Sequence, residues 1–152
     1  MAERIAIASD HAAFELKAAL AEHMRSLGHE VLDLGPDGID PVDYPDYGYK
    51  IAEAIASGRA TKGVAICGSG IGISIAVNRH PAARAALVSE PLSARLAREH
   101  NDANVIAMGA RLIGIEMAKA CVGIFLTTPF GGDRHLRRVE KLSNPSFAKE
   151  PA

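Results

Sequence analysis

Short apolar runs alternate along this chain with longer segments whose apolar residues recur at helical spacing, and that alternation constrains the fold more tightly than any other feature. Residues 4–8 (RIAIA) read as a strand and Ser9-Asp10-His11 as a loop. A helix follows over 14–27, where Phe14, Leu16, Leu20, Met24 and Leu27 fall near helical spacing. Gly28 ends that helix, and residues 29–34 (HEVLDL) read as a second strand closed by Gly35-Pro36-Asp37-Gly38. Three prolines make 35–47 a loop, after which a helix is expected over 49–57. A strand over 63–66 (GVAI) then leads into a helix over 71–78 that opens from a glycine cluster. A fourth strand over 85–88, a helix over 91–99 with Pro91 in its first turn, a fifth strand over 104–108 and a helix over 113–126 complete the pattern.

Strands that are apolar on both faces and joined by helical crossovers belong in a buried parallel sheet. The expected fold is therefore α/β: a doubly wound, five-stranded parallel sheet with helices on both faces, a Rossmann-like three-layer sandwich forming one domain over 1–152. The arginine-rich tail, 135–142, reads as a helix with only a narrow apolar stripe of Leu136, Val139 and Leu142. It is expected to extend to a partner subunit.

Composition narrows the function classes. Seventeen Lys+Arg against eighteen Asp+Glu leave a net charge of -1, so there is no global positive field for nucleic acid or an anionic membrane, and any anion site must be local. Cys67 and Cys121 are too far apart for a CxxC motif and make a poor disulfide framework, which points to a reducing cytoplasm. The opening MAERIAIASDH has too short an apolar run for a signal peptide, and no apolar stretch reaches membrane-span length. No HxxxH, HxH or clustered Cys/His spacing lies near the strand ends, so no metal is expected.

Ligands of such folds sit beyond the carboxyl ends of the strands. Ser9, Asp10 and His11, the 43–47 segment, 67–72, Ser89 and Glu90, and 109–111 should share one rim. The most informative of these is Cys67-Gly68-Ser69-Gly70-Ile71-Gly72, where alternate glycines let successive N–H groups turn toward one point at a helix N-terminus. It is not a Walker loop, since no GK[ST] follows; Ile73 replaces both the last glycine of GxGxxG and the arginine of a Cys-x5-Arg phosphatase loop. Glycines alone could equally serve a tight strand-to-helix turn. Cys67 shifts the balance, because a thiol at the mouth of the loop would feel the helix terminus and could act as base or nucleophile. Ser69 could be a turn residue or a hydroxyl donor to an oxyanion. Asp10 and His11 could be no more than helix caps, and His100 and Asn101 no more than C-terminal residues of a helix. Arg134, Arg137 and Arg138 form a cationic cluster beside Gly131-Gly132 that, like Arg111, is either a solvated face or a phosphate grip.

Together these motifs resemble the B-type ribose-5-phosphate isomerases, the family that includes the galactose-6-phosphate isomerase subunits. The resemblance runs from SDHAAFELK (9–17) through DYPDY (43–47), ICGSGIGISIAVN (66–78) and SEPLSARLAREHNDANVIAMGAR (89–111) to GGDRHLRRV (131–139). It implies aldose–ketose isomerisation of a sugar phosphate, ribose 5-phosphate to ribulose 5-phosphate in the pentose phosphate pathway, without a cofactor, in a homodimer or homotetramer with sites at the subunit interface. It makes Cys67 the base between C2 and C1 with Ser69 beside it, and the backbone of Gly68, Gly70, Ile71 and Gly72 the stabiliser of a cis-enediolate. It gives ring opening to His100 with Asp10 and Tyr44, phosphate binding to His11, Arg111, Arg134 and Arg138, and a substrate hydroxyl or the anion hole to Asn101. Members without the cysteine use a carboxylate at about the position of Ile75, which is apolar here. A six-carbon sugar phosphate, or a phosphate- or nucleotide-binding module without catalysis, remains as an alternative.

Overall fold

The computed structural model describes residues 2–147, among which five strands form one parallel sheet in the order β2-β1-β3-β5-β4. They are β1 (Arg4–Ser9), β2 (Glu30–Asp33), β3 (Lys62–Cys67), β4 (Ala85–Leu87) and β5 (Val105–Gly109). The helices are α1 (Phe14–Ser26), α2 (Tyr44–Ala56), α3 (Ile71–Val77), α4 (Pro91–Asn101), α5 (Ile115–Thr127) and α6 (Leu136–Ser143). Single 3-10 turns precede α1 and α6.

Side-chain alternation assigns the layers. Ile5, Ile7, Val64, Ile66, Ile106 and Met108 pack on one face against Leu20 and Met24 of α1, Ala94 and Ala97 of α4, and Cys121, Val122 and Phe125 of α5. The opposite face carries mostly smaller residues, Ala8, Ala65, Cys67 and Ala107, and packs against Ile51 and Ala52 of α2 and Ile73 and Val77 of α3. The doubly wound sandwich expected from the sequence is thus present.

Most expected boundaries hold to within one or two residues; α2 is the exception. It begins at Tyr44, whereas the prolines point to a loop through Tyr47 and a helix from 49. Pro45 lies in the first turn, where its missing N–H leaves no intrahelical bond unmade, and Asp43 is extended at the N-cap (φ −90°, ψ 118°). Proline therefore starts this helix instead of delaying it. The tail helix begins at Leu136, and only Val139 of its stripe is buried; Leu136 and Leu142 are half exposed on this chain.

The loop before α2 is anchored by a buried ion pair. Lys17, 2% exposed, lies beneath the Phe14 ring and donates to both carboxylate oxygens of Asp33 at 2.8 Å. Asp33 also accepts from the Gly35 N–H. Removing the carboxylate strands an ammonium inside the protein. Asp33→Ala should lower unfolding free energy by about 3 kcal/mol, the low end of the range for breaking a buried pair because Asp33 is partly solvated. Urea denaturation of both proteins checks this; a change under about 1 kcal/mol would contradict it.

Candidate active site

Because β1, β3 and β5 are adjacent and parallel, their carboxyl ends bring Asp10, His11, Cys67 and Arg111 to one edge of the sheet. These residues line a depression of about 610 Å³, together with Tyr44, Gly68, Ser69, Ile71, Gly72, Ile75, Leu112 and Ala12. Backbone bonds clip its floor, Ala110 N–H to Cys67 O and Arg111 N–H to Gly68 O, both 2.9 Å. The Arg111 guanidinium lies along Gly68 and forms no ion pair among the described residues.

Gly70 turns the loop with φ +78°, and a Cβ there would stand 2.6 Å from the Met108 carbonyl carbon. The loop's N–H groups do not all face outward as the glycine spacing leads one to expect. The Gly70 N–H donates to Cys67 Sγ at 3.2 Å, and the Ile71 N–H donates to Ser69 Oγ at 3.2 Å. Tight turning folds these two donors onto the loop's own side chains. Any oxyanion in the depression would therefore be met by the Ser69 hydroxyl proton and the remaining N–H groups of the loop and first turn of α3.

Cys67 is 4% exposed, so it is a buried strand-end residue whose solvent-facing side opens on the depression. Cys121 lies fully buried on the other side of the sheet, where burial and the charge of Glu90 push its thiol up. Asp10 does cap the first 3-10 turn, accepting from Ala13 N–H at 3.1 Å through Oδ1, yet it also lines the depression. His11 Nδ1 accepts from Val42 N–H at 3.1 Å, which places the ring proton on Nε2 and leaves that N–H as its remaining donor. Tyr44 closes over Gly72, and a Cβ on that glycine would sit 2.6 Å from two carbons of the phenol ring.

His100, Asn101, Arg134 and Arg138 lie elsewhere. α4 runs back from the carboxyl edge, so its last turn reaches the amino end of β5, across the sheet from Cys67. α5 likewise ends there. Gly131 N–H donates to Glu99 O at 2.9 Å, and the buried Arg98 donates to Thr128 O, Ala103 O and Asp102. These bonds form a second depression of about 440 Å³ lined by Glu99, His100, Arg134 and His135 with the 129–133 segment. Asn101 faces another hollow with His80 and Arg84, and Arg138 is exposed on the first turn of α6. One chain therefore does not bring all the expected residues to one rim. Ser89 and Glu90 do not line the first depression either; Glu90 caps α4 by accepting from Ser93 N–H at 2.9 Å. Among the described residues no three His, Cys, Asp or Glu side chains are placed to hold a metal.

Comparison with known proteins decides the family. Residues 5–142 match the family described as Ribose/Galactose Isomerase. The chain belongs to that family. It is 43% identical to ribose-5-phosphate isomerase B of Escherichia coli, over 93% of this chain and 95% of the relative. A D-erythrulose-4-phosphate isomerase of Pectobacterium atrosepticum is 41% identical over 91% of each chain. The solved structure of a ribose 5-phosphate isomerase of Thermotoga maritima is 50% identical, superposes with a TM-score of 0.91, and covers 93% of this chain and 97% of its own. Two members of the ribose/galactose isomerase family that differ in their named substrate are thus about equally similar to this chain.

Two residues that shape this second depression, Arg98 behind it and His135 in its lining, are not marked by the sequence pattern. Arg98 looks like one more helical surface arginine, and its burial depends on carbonyls distant in sequence. His135 adjoins the expected arginines, and only its contact with His100 sets it apart.

Substituting the residue beneath Tyr44 tests the depression's shape. Gly72→Ala should expel the phenol ring while changing stability by less than about 1 kcal/mol, because the partly exposed ring end can swing away and alanine favours the helix. NMR contacts between the Tyr44 ring and residue 72 should disappear; their persistence would show that the loop yields instead.

Proposed function

We propose that this protein interconverts ribose 5-phosphate and ribulose 5-phosphate through a cis-enediolate, with Cys67 as the base. The observation that carries the reading is the convergence of a buried thiol, a serine hydroxyl, a carboxylate and unpaired phosphate-type donors in one depression of a family member. Enolisation requires a positioned base and an oxyanion stabiliser, and a remote phosphate grip contributes binding energy to alignment.

The sugar is bound as a furanose. His100 protonates ring oxygen O4 as the C1–O4 bond breaks, while Asp10, assisted by Tyr44, accepts the O1 proton; the product is the open-chain aldehyde. The Cys67 thiolate then removes the C2 proton, and charge moves onto O1 beside Ser69 and the loop N–H groups. The O2 proton passes to O1 through the Ser69 hydroxyl, Cys67 returns its proton to C1, and C2 becomes the ketone. His11 Nε2–H and Arg111, with Arg134 and Arg138, hold the phosphate, and Asn101 binds a substrate hydroxyl.

Since His100, Asn101, Arg134 and Arg138 lie across the sheet from Cys67, the reading requires a second copy whose amino edge meets this carboxyl edge. A twofold dimer does this twice. Exposed Ile71, Ile75 and Leu112 beside the depression supply apolar surface for that contact, and the half-exposed Leu136 and Leu142 supply it on the tail. The chain acts as one domain in a homodimer or a larger homo-oligomer. Two free thiols suit a reducing compartment, the cytoplasm. No described helix is long and apolar enough to cross a membrane.

Cys67→Ser should lower turnover by about 10²–10⁴-fold, the usual contribution of a positioned proton-transfer group, while substrate affinity survives. Cys121→Ser should be near normal. Proton NMR in D2O with ribose 5-phosphate, allose 6-phosphate and erythrulose 4-phosphate reads both reaction and sugar preference. Near-normal turnover by Cys67→Ser would overturn this mechanism.

Shared sites predict complementation. Cys67→Ser and His100→Asn chains, each inactive alone, should regain up to about a quarter of normal turnover after mixing and refolding, because half the dimers are hybrids with one intact site of two. No recovery would place the whole site within one chain.

A further inference from the structure

His135 has no part in the chemistry above, yet its ring stacks on that of His100, with centroids 4.4 Å apart and planes inclined by 16°. The two rings come from separate segments: His100 closes α4, and His135 ends the 3-10 turn before α6. The contact is built in, because Gly131 N–H to Glu99 O and Arg98 to Thr128 O pin the connecting chain onto the end of α4. Each ring thus has one face covered by the other.

The charges around the stack favour one protonation arrangement. His135 is surrounded by His100, Arg134, Arg138 and Asp133, and Glu99 lines the same depression. Desolvation, followed by the charges of His100, Arg134 and Arg138, holds the His135 ring below the ordinary histidine range against the opposite pull of Asp133. A neutral His135 can stack on His100 in either charge state of the latter, whereas two imidazolium rings in contact would repel.

We propose that His135 is a positioning residue: stacked on His100, it fixes the plane of that imidazole so that its edge nitrogen meets the ring oxygen of the sugar. The proposal rests on the ring-opening role given to His100 above. Stacking leaves both nitrogens of His100 at the ring edge and removes the rotational freedom that a histidine at a helix end would otherwise have.

Ribulose 5-phosphate separates this role from the others. Its C5 oxygen is esterified, so it cannot close to a furanose, and exchange of its C1 proton with solvent needs Cys67 but no ring opening. His135→Ala should lower kcat with ribose 5-phosphate by about tenfold or more, with KM within about twofold. It should leave C1 exchange of ribulose 5-phosphate in D2O within about twofold of normal. His135→Phe, which keeps a stacking plane and cannot titrate, should restore most of the lost kcat. Unchanged kcat in His135→Ala, an equal loss of exchange, or no rescue by Phe would each overturn the proposal. If the unaltered protein shows neither turnover nor exchange, the isomerase reading itself fails and takes this one with it.

Discussion

Parallel pairing of β1, β3 and β5 is the constraint from which the rest of the molecule follows. Their shared direction brings three carboxyl ends together, so Asp10, His11, Cys67 and Arg111 become neighbours although about a hundred residues separate the first from the last. The same direction sends each crossover helix to the other edge, and His100 and the 129–135 segment go with it. An arrangement that gathers one set of polar side chains at one edge thereby carries the other set to the opposite edge. Under the proposed function, association with a second copy would reunite the two sets, and the exposed Ile71, Ile75 and Leu112 beside the depression would supply apolar surface for it.

Two different physical means hold the two halves. At the carboxyl edge the backbone does most of the work, through the clip between β3 and β5 and the left-handed Gly70. At the amino edge a side chain does it. Arg98 donates to two carbonyls and a carboxylate at once, which joins α4 to the connection after α5 and sets the spacing of the two imidazoles. A guanidinium suits this task because its planar fork reaches several acceptors in fixed directions.

The layered fold was legible in the sequence because periodicity of two and of 3.6 residues survives into burial: the strand residues of both faces are those the pattern marks. The start of α2 was not, since prolines read as loop formers can equally occupy a helix's first turn, and the choice rested on the local geometry of Asp43. Strand order was also hidden, as no residue pattern states that β5 lies inside β4. For the candidate site, residues directly after the three central strands were readable because topology alone places them, whereas Ser89 and Glu90 follow the edge strand β4 and fall outside the depression. The direction of the Gly70 and Ile71 N–H groups was not, because it depends on a single positive φ and on where two side chains turn. Arg98 and His135 were hidden for a related reason: their partners lie tens of residues away, and their own sequence neighbourhood looks like solvated helix.

The placement of the two cysteines has a consequence for redox chemistry. Cys67 and Cys121 face opposite sides of the sheet, each packed into its own layer of helices. If an oxidant reaches Cys67 and forms a sulfenic acid, no second thiol of the same chain can condense with it, and rescue as an internal disulfide is closed. Further oxidation or capture by an outside thiol are the routes left. Because Cys67 is 4% exposed and lines the depression, whatever occupies that hollow also shields the sulfur, and an empty hollow leaves it most open to peroxide.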